Sequence, residues 1–141
     1  MPQPLFAGLV VDENDRPVAT TTIGSEAMYV IDDAGFRRHI PAEYVDRQVL
    51  ALLKEQISGH EDLLSEQTAK MLGQEDIFSR AMLENQFRNI DQQFEKLLQT
   101  GIPEEGRAYM GMMGFRIVIN FHGDVIHFEQ PGRISDEDGE D

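Results

Sequence analysis

The segment NFHGDVIHFEQPG places His122, Asp124, His127 and Glu129 within eight residues. Imidazole and carboxylate groups bind divalent metals and move protons near neutral pH, so this is where chemistry is first sought. The alternation in FRIVINF and VIHFEQ predicts a β-hairpin reversed by a type II′ turn at Gly123–Asp124. In that register His122 faces Val125, Asn120 faces His127 and Val118 faces Glu129. His122 and His127 become diagonal neighbours with Glu129 one step along, close enough to share an ion. The other face carries Ile117, Ile119, Phe121, Ile126 and Phe128. A half-buried antiparallel hairpin alternates in this way with no chemistry attached. No H-E-x-x-H signature or further ligand accompanies the histidines. The expectation is therefore a solvated hairpin face and no cofactor. A metal-dependent or ligand-binding enzyme using His122, His127, Glu129 and Asp124 is the alternative.

Other candidate groups have structural readings too. Gly106, Gly111 and Gly114 alternate with Tyr109, Met110, Met112 and Met113, and no Lys-Ser or Lys-Thr follows them as a phosphate-cradling loop requires. Methionine fills irregular core gaps and also suits adaptable docking surfaces. A loop or strand entering the core is expected, with a partner-docking patch at Tyr109, Met110, Met112 and Met113 as the sharper reading. Arg37, Arg38 and His39 form the one dense basic spot. In a strand Arg37 and His39 share a face and Arg38 points away, so pairing with acids across the sheet is expected, and an acidic partner or an anion is the alternative. There is no cysteine, which excludes disulfides, thiolate metal sites and a cysteine nucleophile.

The elements that position these groups can be read from periodicity. Two N-terminal hairpins are expected, LFAGLVV with PVATTTI around DENDR, and AMYVI with FRRHI around DDAG, where Gly35 suits the positive-φ position of a three-residue loop with a bulge. Pro41 opens a helix with apolar residues at Val45, Val49, Leu52, Leu53 and Ile57. Ser58 with Glu61 matches a capping box for a restart, and LGQED at 72–76 is a firmer break. A third helical run over 75–100 closes at Gly101, Ile102 and Pro103. Leu83, Phe87, Ile90, Phe94 and Leu97 form a heptad seam, and Leu50, Leu53, Ile57, His60, Leu64, Gln67 and Met71 form another. Folding back at Gly73 pairs Leu53 with Phe94, Ile57 with Ile90, His60 with Phe87 and Leu64 with Leu83, with Gln67 opposite Arg80. A 25-residue helix would be about 37 Å long. Apolar residues remain off the seam, among them Val49, Leu52, Leu63, Phe78 and Met82, and these are the expected oligomer interface.

The chain has 141 residues, with 26 Asp plus Glu against 12 Lys plus Arg and a net charge of −14. Five acids fall in SDEDGED at the end, expected to be a disordered tail over 135–141. A phosphate-binding footprint needs clustered cations, so nucleic acid is not an expected partner. The N-terminus lacks a basic segment followed by an apolar run, and no apolar stretch approaches the ~18 residues of a membrane span, so no membrane association and a cytoplasmic location are expected. The expected fold is α+β, with residues 1–134 as a single domain. An antiparallel sheet is built from hairpins at 1–40 and 115–130, with a helical hairpin over 41–100 inserted between them. The expected role is that of an acidic scaffolding or protein-interaction protein, a homo-oligomer with a dimer favoured, working through the helical hairpin.

Overall fold

In a computed structural model the chain is described over residues 3–130, so the expected tail at 135–141 lies outside the described residues. The fold is mixed α and β, with five helices and two three-stranded sheets among the described residues. It divides into two compact units, Met1–Val49 with Leu97–Asp141, and Leu50–Lys96.

The first unit holds all the strands. β2 (Ala19–Ile23), β3 (Glu26–Asp33) and β4 (Phe36–Pro41) form an antiparallel meander. Its turns are made by residues at positive φ. Gly24 (φ 64°) opens the two-residue link between β2 and β3, and Ala34 (φ 54°) with Gly35 (φ 91°) makes the link between β3 and β4. The second link is two residues long, with both in the left-handed region of a type I′ turn, where a three-residue loop with a bulge was expected. β3 buries Ala27, Tyr29 and Ile31 on one face.

The other sheet differs from expectation. β1 is only Val10–Val11, and it runs parallel to β5 (Arg116–Ile119), which pairs antiparallel with β6 (Val125–Glu129). Two sheets, one of them mixed, replace the single antiparallel sheet. Leu5 and Phe6 were expected in a strand but form a turn. The Leu5 N–H donates to the Asp46 carboxylate at 2.8 Å and the Phe6 N–H to the Tyr29 hydroxyl at 3.1 Å, so neither donor is free for a ladder. The expected DENDR hairpin is reduced to one bridge, Val11 with Pro17. Asp12 holds that turn by accepting from the Asn14 and Arg16 N–H groups. Ile117 and Ile119 are fully buried in the central strand, and Phe115 lies between Phe6 and Phe128 at ring distances of 5.7 and 5.1 Å.

α1 (Ala42–Ile57) begins directly after Pro41 as expected, and Val45 and Val49 are fully buried. α5 (Glu104–Met112) was not expected as a helix. Pro103 precedes it, and Glu104 and Glu105 complement the dipole of its first turn.

The second unit contains the end of α1, α2 (Glu61–Leu72), α3 (Ile77–Arg88) and most of α4 (Ile90–Thr100). α2 and α3 pack as a hairpin reversed at Gly73 (φ 69°). There the Gly73 N–H donates to the Lys70 carbonyl and the Gln74 N–H to the Ala69 carbonyl, which closes α2 as a Schellman cap. Asp76 caps α3 by accepting from the Ser79 N–H at 3.0 Å. The expected capping box does not form, because the Ser58 N–H donates to the Lys54 carbonyl of α1. The Glu61 carboxylate accepts from the Gly59 N–H, but no Ser58 side chain reaches the helix, and His60 precedes α2 with no side-chain cap. The 75–100 run is two helices, interrupted at Asn89 (ψ 37°), whose side-chain amide donates to the Asn85 carbonyl.

Candidate functional site

The C-terminal hairpin does not take the expected register. Arg116 pairs with Glu129, Ile117 with Phe128, Val118 with His127 and Ile119 with Val125, with a bulge beyond Val118. The reversal is a loop over 120–124, not a two-residue turn, and the Asn120 side-chain oxygen accepts from the His122 and Asp124 N–H groups. Its anchorage explains the change. Gln48 of α1 donates its amide to the Gly123 carbonyl at 2.9 Å and accepts the Val125 N–H at 2.9 Å, so a side chain takes the place of a strand neighbour. The Tyr44 hydroxyl donates to Asp124, and this bond holds the carboxyl below its ordinary range and raises the phenol.

These contacts change what each histidine faces. His122 is an exposed loop residue and His127 faces Val118 on β6. His127 Nε2 lies 3.1 Å from the Glu129 carboxylate, which also accepts from Arg116 at 2.9 Å and is lowered chiefly by that bond. Arg116 reaches on to Asp15. Glu129 therefore serves a chain of ion pairs, and among the described residues no three His, Asp or Glu side chains are grouped to hold a metal ion.

The apolar candidates are placed differently. Val49 is 0% exposed, so it belongs to the core and cannot serve an interface; its place on the buried stripe of α1 with Val45 accounts for this. Leu52 is half-buried, while Leu63, Phe78 and Met82 are 53%, 83% and 64% exposed. Met71, Leu72 and Ile77 join them, each more than half exposed. Neither α3 nor α4 buries a single residue, and the seam residues Leu83, Phe87, Ile90 and Phe94 are only half covered. On α2 the fully covered positions are Ser65 and Ala69, not Gln67 and Met71 as expected, and His60 is exposed. Small side chains let two helices approach closely, which moves the contact line one position round the helix and turns Met71 outward. The borders carry ion pairs of both senses, Lys54 with Asp91 at 2.8 Å and Arg88 with Glu84 and Asp62.

The methionine segment is also surface. Tyr109, Met112 and Met113 are 61%, 81% and 48% exposed and Met110 is half-buried, so the expected core filler is the outer side of α5 and its end. Pro103 followed by two glutamates was the signal for that helix.

Sequence reasoning passed over one buried polar centre. The Asp46 carboxylate on α1 accepts from the Leu5 N–H and from the Tyr29 hydroxyl at 2.7 Å. Burial pushes its pKa up to about 6, and burial with the adjacent Asp46 charge pushes Tyr29 well above the phenol range. Asp46 lies next to Val45 in an apparently ordinary amphipathic helix, so only the arrival of Leu5 and Tyr29 in space marks it. Comparison with known family models, curated proteins and solved structures finds no match for this chain.

Proposed function

We propose that this chain acts as a homo-oligomeric protein-interaction module, assembling through its helical unit with a second copy of itself. The observation that carries this reading is the apolar surface of α2 and α3, where Leu63, Met71, Leu72, Ile77, Phe78 and Met82 are each more than half exposed. Covering one such side chain is worth about 1.5–3 kcal/mol, and large exposed apolar surface marks interaction sites. A second copy fits because the unit has both charges at its border. Residues 50–96 carry nine acids and five bases, so two identical faces can meet with cations opposite carboxylates in a chain that is otherwise strongly acidic. The exposed Tyr109, Met112 and Met113 of α5 offer a further docking surface for a protein partner.

Light scattering across a concentration series tests this. The unaltered chain is expected at twice its 16.0 kDa mass, and Phe78→Glu with Met82→Glu at one chain mass with unchanged helical circular dichroism. An unaltered chain that stays monomeric at a hundred micromolar, or a double variant that remains dimeric, refutes the assembly.

A further inference from the structure

The open face of the β2–β3–β4 meander carries a groove of about 600 Å³, within the roughly 300–1,000 Å³ typical of small-molecule sites. Its floor follows from the register. Ala19 on β2 stands opposite Val30 on β3, and Val30 opposite His39 on β4, so these three side chains form one row across the sheet. Thr21 lies two residues along β2 and Arg37 two residues back along β4, so both share that face, and Asp32 is opposite Arg37. All of them line the groove. Two strand spacings make the floor about 10 Å wide, room for a flat ring on Ala19, Thr21 and Val30.

The charges on this face divide into engaged and unengaged. Arg16 borders the groove at the Asp32 end, where it donates to the Asp32 backbone carbonyl at 3.3 Å and is met by the Asp12 carboxylate at 3.4 Å. Asp12 is buried and also accepts from the Asn14 and Arg16 N–H groups, and the Asp32 carboxylate accepts from the Gly35 N–H at 2.8 Å. Arg37 and His39 are exposed, and their side chains have no ion-pair or hydrogen-bond partner among the described residues. Arg38, on the other face, is held by Asp33 at 2.9 Å and lies over the Phe36 ring. The Arg37 guanidinium presents a fork of donors to two oxygens of one anion, and the imidazole about 7 Å along the strand supplies a donor for a third.

We propose that this groove binds a small aromatic phosphate monoester, its phosphate held by Arg37 and His39 and its ring laid on Ala19, Thr21 and Val30. The three terminal oxygens of the phosphate use the donors of both side chains, whereas the Arg37 fork alone takes both oxygens of a carboxylate. The site lies in the first unit and is independent of the helical interface.

The test is a fluorescence titration of naphthyl phosphate with the full chain. Saturable binding with a Kd below about 1 mM is expected. Arg37→Ala with His39→Ala should weaken it about tenfold or more, as should Ala19→Glu, which sets a carboxylate on the floor; exposed positions tolerate these changes without unfolding. Phe78→Glu with Met82→Glu, on the helical unit, should leave the affinity within about twofold. Naphthol lacks the charge, naphthoate the third oxygen and inorganic phosphate the ring, so each, measured by competition, should bind about tenfold more weakly or worse. No saturable binding overturns the proposal, as does unchanged affinity in the groove variants, loss of binding in the helical variant, or equal affinity for any of the three lesser ligands.

Discussion

Among single residues Asp46 carries the clearest consequence for stability. It is 2% exposed, and its two carboxylate oxygens accept from the Leu5 N–H and the Tyr29 hydroxyl. Burial raises its pKa from 3.8 to about 6, with the nearby Glu43 charge adding a smaller push in the same direction and the two hydrogen bonds opposing it. The folded chain then holds this proton more tightly than the unfolded chain does. The stabilisation is full below the unfolded value and is lost as pH rises through about 6. Urea unfolding of the unaltered chain and of Asp46→Asn at pH 4 and pH 7 should show the unaltered chain losing roughly 2 kcal/mol relative to the variant over that interval. A difference that is flat with pH would mean that Asp46 is not buried as described. Sequence alone could not show this residue's role, because its partners lie 17 and 41 positions away.

At the level of elements, the C-terminal hairpin shows how an anchor decides a register. Alternation correctly marked Ile117, Ile119 and Phe128 as one face, and Gly123 as a turn residue. It missed that Gln48 would bind both sides of the loop, an arrangement that depends on α1 packing beside it. Gly123 is required twice over. Its φ is 86°, and an added Cβ would lie 2.4 Å from the Ile40 side chain on β4. Gly123→Ala combines a left-handed backbone cost with overpacking, and the urea midpoint should report a loss of roughly 2–4 kcal/mol. A loss under half a kcal/mol would show that the loop does not seat against Ile40. The helical breaks divide similarly. Gly101 takes the expected left-handed cap at φ 80° and Gly73, the expected point of reversal, is left-handed too at φ 69°, while the Asn89 break has only a side-chain amide competing for a carbonyl and no glycine or proline to mark it.

For the whole molecule, the exposed apolar cluster on the helical unit has a thermodynamic corollary. If folding and assembly are linked, partner binding adds stability by mass action. The thermal midpoint should rise by several degrees between 1 and 100 micromolar chain, and Phe78→Glu with Met82→Glu should remove that dependence. A midpoint independent of concentration in the unaltered chain counts against obligate assembly. The interface residues expected from helical spacing fared unequally. Leu63, Phe78 and Met82 are on the surface, whereas Val49 is sealed in the core. Spacing reports that a residue lies on an apolar stripe but not which neighbour meets the stripe. On α1, Val45 and Val49 belong to the unit that holds the strands and are sealed in it.

Local chemistry was enough to establish the mixture of strands and helices, the start of α1 after Pro41, the hairpin between Glu26 and Pro41, and the reversal at Gly73. Each depends on backbone preferences and periodicity within a few residues. The parallel pairing of β1 with β5, the buried Asp46 centre, the register that sets His127 opposite Val118, and the groove that gathers Arg16, Arg37 and His39 were decided only in three dimensions. Those features bring together residues from distant parts of the chain. Short-range pattern carries no record of such meetings, because hydrogen-bond donors and apolar faces select their partners only when the core closes.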